Sequence, residues 1–272
     1  MVGPQRGEKQ GGFGRIASLG RSRYTEVMWG LANPTRFMEL SGRLVPWLAA
    51  AAAALAGAGL YLSWFVAPAD YQQGETVRIM FLHVPAAWLA LFFYVLMAAS
   101  ALGTLIWRHP LADVSQKAAA PIGAAFTLIC LVTGALWGKP MWGTYWVWDA
   151  RLTSMLVLFL MYCGILALWR TIDEPARAAR AVSILTLIGV VNLPVIKFSV
   201  DWWNTLHQPA SVLRLDGPAI HPSMLYPLLV MAAGFMAFAV TLHLAGMRTE
   251  ILRRRVRTLA ILEAERLDRP FA

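Results

Sequence analysis

Six apolar runs, each close to the length that crosses a bilayer, constrain this 272-residue chain more than any other feature. The hydrocarbon core of a membrane is about 30 Å thick, and an α-helix needs about 20 residues to span it. The runs fall near residues 44–67, 83–107, 117–137, 153–169, 181–199 and 223–247. Backbone amides have no water to bond in lipid, so each run must satisfy its own, as a helix does. The expected fold class is therefore all-α, a polytopic membrane protein built as a six-transmembrane-helix bundle. Composition agrees: 58% of residues are hydrophobic and 14% charged, too apolar for an ordinary soluble domain. In the fifth run Pro194 predicts a kink, because it lacks an amide hydrogen and crowds the carbonyl one turn earlier. Lys197, near the end of the same run, reads as a snorkelling side chain.

Basic residues set the expected orientation. With both termini cytoplasmic, the lysines and arginines up to Arg43, then Arg108, Lys117, Arg170, Arg177 and Arg180, and those from Arg248 to Arg269 all lie inside. Only Arg78, Lys139, Arg151 and Arg214 then fall in outer loops. That asymmetry is the positive-inside pattern. The net charge of +9 is thus a topology signal, and no nucleic-acid partner is implied.

Three parts follow: a cytoplasmic N-terminal extension (1–43), a membrane domain (44–247) with a tryptophan-rich outer loop (137–152), and a basic cytoplasmic C-terminal helix or tail (248–272). The extension does not read as a signal peptide, because its start is polar and the first apolar run is too long for an h-region. Residues 1–20 are expected to be disordered, and 35–43 to form a short amphipathic helix on the inner surface. Residues 248–267 read as a basic helix with Glu250/Arg254 and Glu265/Arg269 at helix-neighbour spacing. An anchor on anionic membrane lipids is the plain reading of that segment; a docking helix for a cytoplasmic partner is the alternative.

Several activities lack their residues. Cys130 and Cys163 sit in separate apolar runs with no C-x-x-C, so they read as packing residues rather than a redox pair. There is no phosphate-binding glycine loop and no H-E-x-x-H, which leaves no basis for an ATPase or zinc protease. The unusual content lies in the outer loops. Trp137, Trp142, Trp146 and Trp148 crowd one stretch, four of twelve tryptophans. Aromatic belts place one or two per loop, so this group exceeds a belt. Gly138, Pro140 and Gly143 suggest that the patch is not a regular helix.

Of five histidines, His109, His221 and His243 have ordinary readings as a surface residue, a capping residue and a packing residue. His83 and His207 differ, each lying at the outer boundary among tryptophans. Flat aromatic faces suit a large, flat, apolar ligand, and haem meets the description: its macrocycle stacks, its iron takes two imidazoles and its propionates take arginines. His83 and His207 are the candidate iron ligands; Arg78 and Arg151 are the candidate propionate partners. Asp149 is expected to orient an arginine or an indole.

The run Trp142, Gly143, Trp146, Trp148, Asp149, as W-G-x-x-W-x-W-D, resembles the tryptophan-rich signature of haem-handling proteins in cytochrome c maturation. F-L-H-V-P-A-A-W around His83 and V-D-W-W-N-T-L-H-Q-P around His207 resemble the CcmC family in particular, over roughly residues 40–245. The resemblance implies haem b held by His83 and His207, with Arg78 and Arg151 at the same site and Gly143 and Tyr145 in its aromatic wall. Tyr145 stands where the pattern leads one to expect tryptophan, and the N-terminal extension is longer than expected. It also implies a bacterial inner-membrane location with a periplasmic active face. The implied partners are the small membrane protein CcmD, the haem chaperone CcmE and the CcmA and CcmB ATP-binding transporter subunits. The implied chemistry is lyase-like or transferase-like haem transfer with no nucleophile of its own. Three alternatives remain open: a haem-conducting exporter subunit, a cytochrome b-type electron carrier, and a scaffold whose tryptophans dock a protein.

Overall fold

The computed structural model describes residues 33–203, 205–209, 211–212 and 214–267. The expectation of disorder over residues 1–20, and the partner Arg269, lie outside them.

The described residues fold into helices, with no strand among them beyond one isolated bridge between Asp70 and Gly74. Helix α1, Pro34–Tyr61, starts at Asn33, whose side chain accepts from the Thr35 amide at 2.9 Å. Pro34 stands at the first position, where its missing N–H is no loss. A π-helical turn, Leu62–Val66, closes it, and a 3-10 turn, Glu75–Ile79, leads into α2, Met80–Leu105. Then follow α3, Ala112–Trp142, α4, Ala150–Thr171, α5, Pro175–Gly189, α6, Asn192–Trp202, and α7, Pro222–Leu267. Among the described residues six helical spans, α5 and α6 acting as one, are long and apolar enough to cross a membrane.

The core lies between α2, α3, α4 and α5. Phe93, Tyr94 and Met97 of α2 are fully buried against Ala119 of α3, Leu158 and Tyr162 of α4 and Val182 of α5. The Tyr162 hydroxyl donates to the Ala90 carbonyl at 2.8 Å, which gives a buried phenol the partner it needs. Helix α1 lies along α7 on the outside of this core. Their crossing depends on small residues: a Cβ on Gly234 would stand 2.7 Å from the Ala56 nitrogen, and one on Gly59 2.9 Å from the Met231 Cα. In lipid, where apolar side chains gain nothing by leaving solvent, close backbone approach of this kind replaces the hydrophobic drive. Outward faces remain apolar, with Leu44, Trp47, Val132 and Ile188 exposed.

The fifth span departs from expectation. It is not kinked at Pro194 but broken at Val190–Val191, and Pro194 sits in the first turn of α6, where a missing amide hydrogen leaves no bond unmade. Asn192 Nδ2 donates to the Ser154 carbonyl at 2.8 Å and fixes the restart against α4.

At the opposite end from the outer loops, residues 35–43 are not a separate surface helix but the first turns of α1. Phe37 and Met38 pack on Leu111, Val114, Met247 and Ile251, and Arg248 donates to the Met38 carbonyl and to Ser41 Oγ. Apolar contact partners along α7 outweigh the lipid surface for this stretch. Glu250 pairs with Arg254 at 3.0 Å as its spacing predicts, and also with Lys117 at 2.9 Å, while Arg254 reaches Asp113 at 2.8 Å. Helix α7 has 46 residues and so runs for about 70 Å, well past a hydrocarbon core of about 30 Å.

Candidate functional site

Helix α3 organises the site. It continues through Gly138 and Pro140 to Trp142, so that part of the tryptophan patch is helical, contrary to the expectation from its glycines and proline. The helix ends because Gly143 takes a left-handed conformation, φ 76°, and returns its amide to the Lys139 carbonyl at 3.0 Å. Only 143–149 is irregular. Lys139 Nζ also donates to the Gly143 carbonyl at 2.9 Å and lies 5.3 Å from the Tyr145 ring centre, holding that ring over the helix end.

The three loops at this end of the bundle meet here. Trp137 Nε1 donates to Gln73 Oε1 at 2.8 Å and ties the first loop to α3. His207 Nδ1 and Asp149 Oδ2, 2.9 Å apart, tie the third loop to the second. An ionised carboxylate only accepts, so Nδ1 of His207 carries the proton and Nε2 keeps its lone pair. Asp149 serves two partners: its other oxygen accepts from the Leu152 amide at 2.7 Å and caps α4. Its expected role of orienting an arginine or an indole is replaced by orienting His207. Burial pushes the His207 imidazole below its ordinary value against the opposing pull of Asp149, and the charge of Arg151 adds to the lowering. The Trp142 ring meets the His207 ring edge-on at 4.9 Å.

His83, in the first turn of α2, is held in a parallel manner. Its Nδ1 lies 3.1 Å from Thr133 Oγ1. That hydroxyl already donates to the Ile129 carbonyl at 2.6 Å, so its oxygen accepts and His83 Nδ1 donates. Nε2 is again left with its lone pair, and among the described residues it has no hydrogen-bond partner. The ring lies over Gly134, where a Cβ would come 3.0 Å from its Cε1, and meets Trp137 edge-on at 5.7 Å. Thr133, Gly134 and Trp137 therefore place one imidazole while Trp142 places the other. Trp137 and Trp142 are separated by about 7.5 Å of helix rise.

The other tryptophans form the outer wall. Trp146 and Trp148 pack edge to face at 5.4 Å. Trp148 is 74% exposed, whereas Trp146 Nε1 is buried without a hydrogen-bond partner among the described residues. A buried indole N–H wants an acceptor that the described residues do not supply.

The arginines are partly committed elsewhere. Arg78 Nε pairs with Glu75, and its Nη1 donates to the carbonyls of Ser63 and Ala67, the latter at 3.3 Å, which fastens the π-helical turn of α1. Arg151 donates through Nε to Ser199 Oγ at 3.2 Å and through Nη2 to the Lys197 carbonyl at 3.3 Å, bracing α4 against α6. Arg151 is near enough for its charge to be felt at His207. Lys197 itself is exposed.

Sequence reasoning placed the remaining histidines by type. His221 Nδ1 accepts from the Ser223 amide at 3.3 Å at the start of α7, and His109 Nδ1 accepts from the Leu111 amide at 3.2 Å in a turn. His243 is buried, with Nε2 3.3 Å from Ser115 Oγ. It belongs to a polar group inside the bundle that was not legible as a unit: Ser100 donates to Ser115, and Gln116 donates to Thr104 and Ser183. Among the described residues no cluster of three His, Cys, Asp or Glu side chains suits a bare metal ion. Two free imidazole nitrogens suit an iron whose other positions are filled by a macrocycle, and an indole wall with an orphaned N–H suits the macrocycle and its carboxylates. The residues present fit haem.

Comparison with known proteins gives one family. The CcmC family model, described as heme exporter protein C, matches residues 27–262. A heme exporter protein C of Bradyrhizobium diazoefficiens is 65% identical over 237 residues, covering 87% of this chain and 90% of that one. Proteins of the same name from Escherichia coli K12 and Paracoccus denitrificans are 50% and 46% identical; they cover 82% and 87% of this chain and 89% and 98% of their own.

Proposed function

Since the chain belongs to the CcmC family, we propose that it binds haem b at the periplasmic face of a bacterial inner membrane and hands it to the haem chaperone CcmE during c-type cytochrome maturation. The observation that carries this reading is the paired imidazoles, each tied at Nδ1 and free at Nε2, beside a tryptophan wall that opens outward. Haem is cargo here. His83 and His207 supply the two axial nitrogens, and Trp142, Trp146 and Trp148 supply apolar area worth roughly 25 cal/mol per Å² covered. Trp146 Nε1 and Arg151 offer donors for carboxylates, with Arg78 second to Arg151 because its charge is already paired with the Glu75 carboxylate. Exposed Trp148 and Tyr145 leave an edge of the site open to an acceptor protein. The proposed partners are CcmE, the small membrane protein CcmD and the CcmA and CcmB transporter subunits.

A haem-conducting path is less well supported. The buried polar group around Gln116 and His243 lies at the opposite end of the bundle, and among the described residues no hydrogen bond joins it to His83 or His207. A b-type electron carrier would hold haem between helices, whereas here one imidazole comes from a loop.

Co-expression with CcmE, affinity purification and a visible spectrum test the proposal. The expected result is haem with low-spin bis-imidazole bands in the purified protein and covalent haem on CcmE that depends on this protein. Loss of those bands is expected in His83→Ala and in His207→Ala. Recovery of neither haem nor CcmE would sink the reading, and bands retained in both variants would sink the ligand assignment.

A further inference from the structure

We propose that the two axial positions are unequal by construction: Asp149 makes His207 the persistent ligand, and His83 is the one that lets go when haem is transferred. This rests on the haem-handling reading and specifies how that site releases its cargo. The difference lies in what holds each Nδ1–H. His207 donates to a carboxylate at 2.9 Å, with the Asp149 side chain only 5% exposed and its other oxygen fixed by the Leu152 amide. A buried anion on Nδ1 pushes electron density through the ring and strengthens Nε2 as a donor, and it locks the ring's rotation. His83 donates at 3.1 Å to a neutral hydroxyl whose own proton is already committed to Ile129. That partner fixes the tautomer but adds no charge, so Nε2 of His83 is the weaker donor.

Location agrees with the electronic difference. His207 sits in the third outer loop between Trp203 and α7 and is packed on Trp142, whereas His83 stands on α2 and cannot follow a departing ligand without moving the helix. Transfer is then a ligand exchange. The bond from His83 Nε2 to iron breaks with both electrons staying on nitrogen, and a donor atom of the acceptor protein takes the position; no proton or electron is gained or lost. His207 retains its hold until that second bond has formed.

Asp149 is thus a positioning residue, and its test needs readouts that a structural role does not move. Haem-loaded protein in detergent is challenged with apomyoglobin as a haem trap, while its spectrum and midpoint potential are recorded. His83→Ala is expected to keep most of its haem in a high-spin form that added imidazole converts back to low spin. His207→Ala, which removes the ligand itself rather than its outer support, is expected to lose haem faster than His83→Ala. Asp149→Asn keeps a capping side chain on α4 yet removes the charge; it is expected to speed haem loss and raise the midpoint potential, with Asp149→Glu restoring both in part. Thr133→Val is expected to leave the potential close to the parent value. Equal haem loss from the two histidine variants, or a shift in Thr133→Val as large as in Asp149→Asn, would overturn the inference while leaving haem binding intact. A parent protein with no low-spin haem would overturn the haem-handling reading itself, and the inference with it.

Discussion

Single side chains at this site work by being held rather than by being reactive. His83 is placed by the absence of a side chain: Gly134 leaves the space that its ring fills. Alanine or valine there strengthens or barely changes the helix, since glycine is the weaker helix former by about 1 kcal/mol. The added Cβ nevertheless stands 3.0 Å from Cε1 and must push the ring aside. Gly134→Val is therefore expected to retain its expression level and thermal midpoint while losing most of the low-spin haem band. A normal band in this variant would mean that His83 is not held as the structure has it. The sequence singled out both histidines through their aromatic settings. It did not reveal Thr133, an ordinary threonine near the end of an apolar run, because the bond that gives it meaning joins residues 50 apart.

Between elements, two junctions matter. The first is the α1–α7 crossing, where Gly59 and Gly234 bring backbones together. Gly234→Val would place carbon 2.7 Å from a backbone nitrogen that cannot rotate away, and overpacking of this sort costs about 1–3 kcal/mol. Gly57, where an added methyl would meet nothing within 4 Å, is the control. Thermal unfolding in detergent is expected to show a lowered midpoint for Gly234→Val and an unchanged or raised one for Gly57→Ala. The second junction is the break at Val190–Val191. Pro194 signalled a disturbance in the fifth span, but the sequence could not say whether the helix would bend or stop. It stops one turn before Pro194, at the Val190 carbonyl that the proline cannot bond and that accepts from the Leu193 amide at 3.0 Å instead, while Asn192, by bonding to Ser154 of α4, fixes the direction of the restarted helix.

Over the whole molecule, the six spans put three loops at one end and the basic residues of α7 at the other. The proposed orientation, with both termini cytoplasmic, can be read by labelling single cysteines in a background where Cys130 and Cys163 are replaced by serine. Thr205→Cys, beside His207, is expected to react with a membrane-impermeant maleimide in intact spheroplasts. Thr258→Cys, on the exposed end of α7, is expected to react only after the membrane is opened. The reverse pattern would invert the molecule and remove CcmE from reach of the site.

What the sequence determined by itself is whatever depends on local run length and composition. Apolar stretches of about 20 residues must become helices in lipid, whatever their neighbours, because the backbone has no other partner. The tryptophan cluster and the two histidines stand out for a similar reason, being residue types concentrated beyond what an interface requires. Tertiary structure decided how far α3 runs into that cluster, which carboxylate serves His207, and that Arg78 fastens α1. Each of these turns on contacts between segments far apart in the chain, such as the 58 residues between Asp149 and His207. Such contacts are chosen by competition for space and hydrogen-bond partners once the helices have packed.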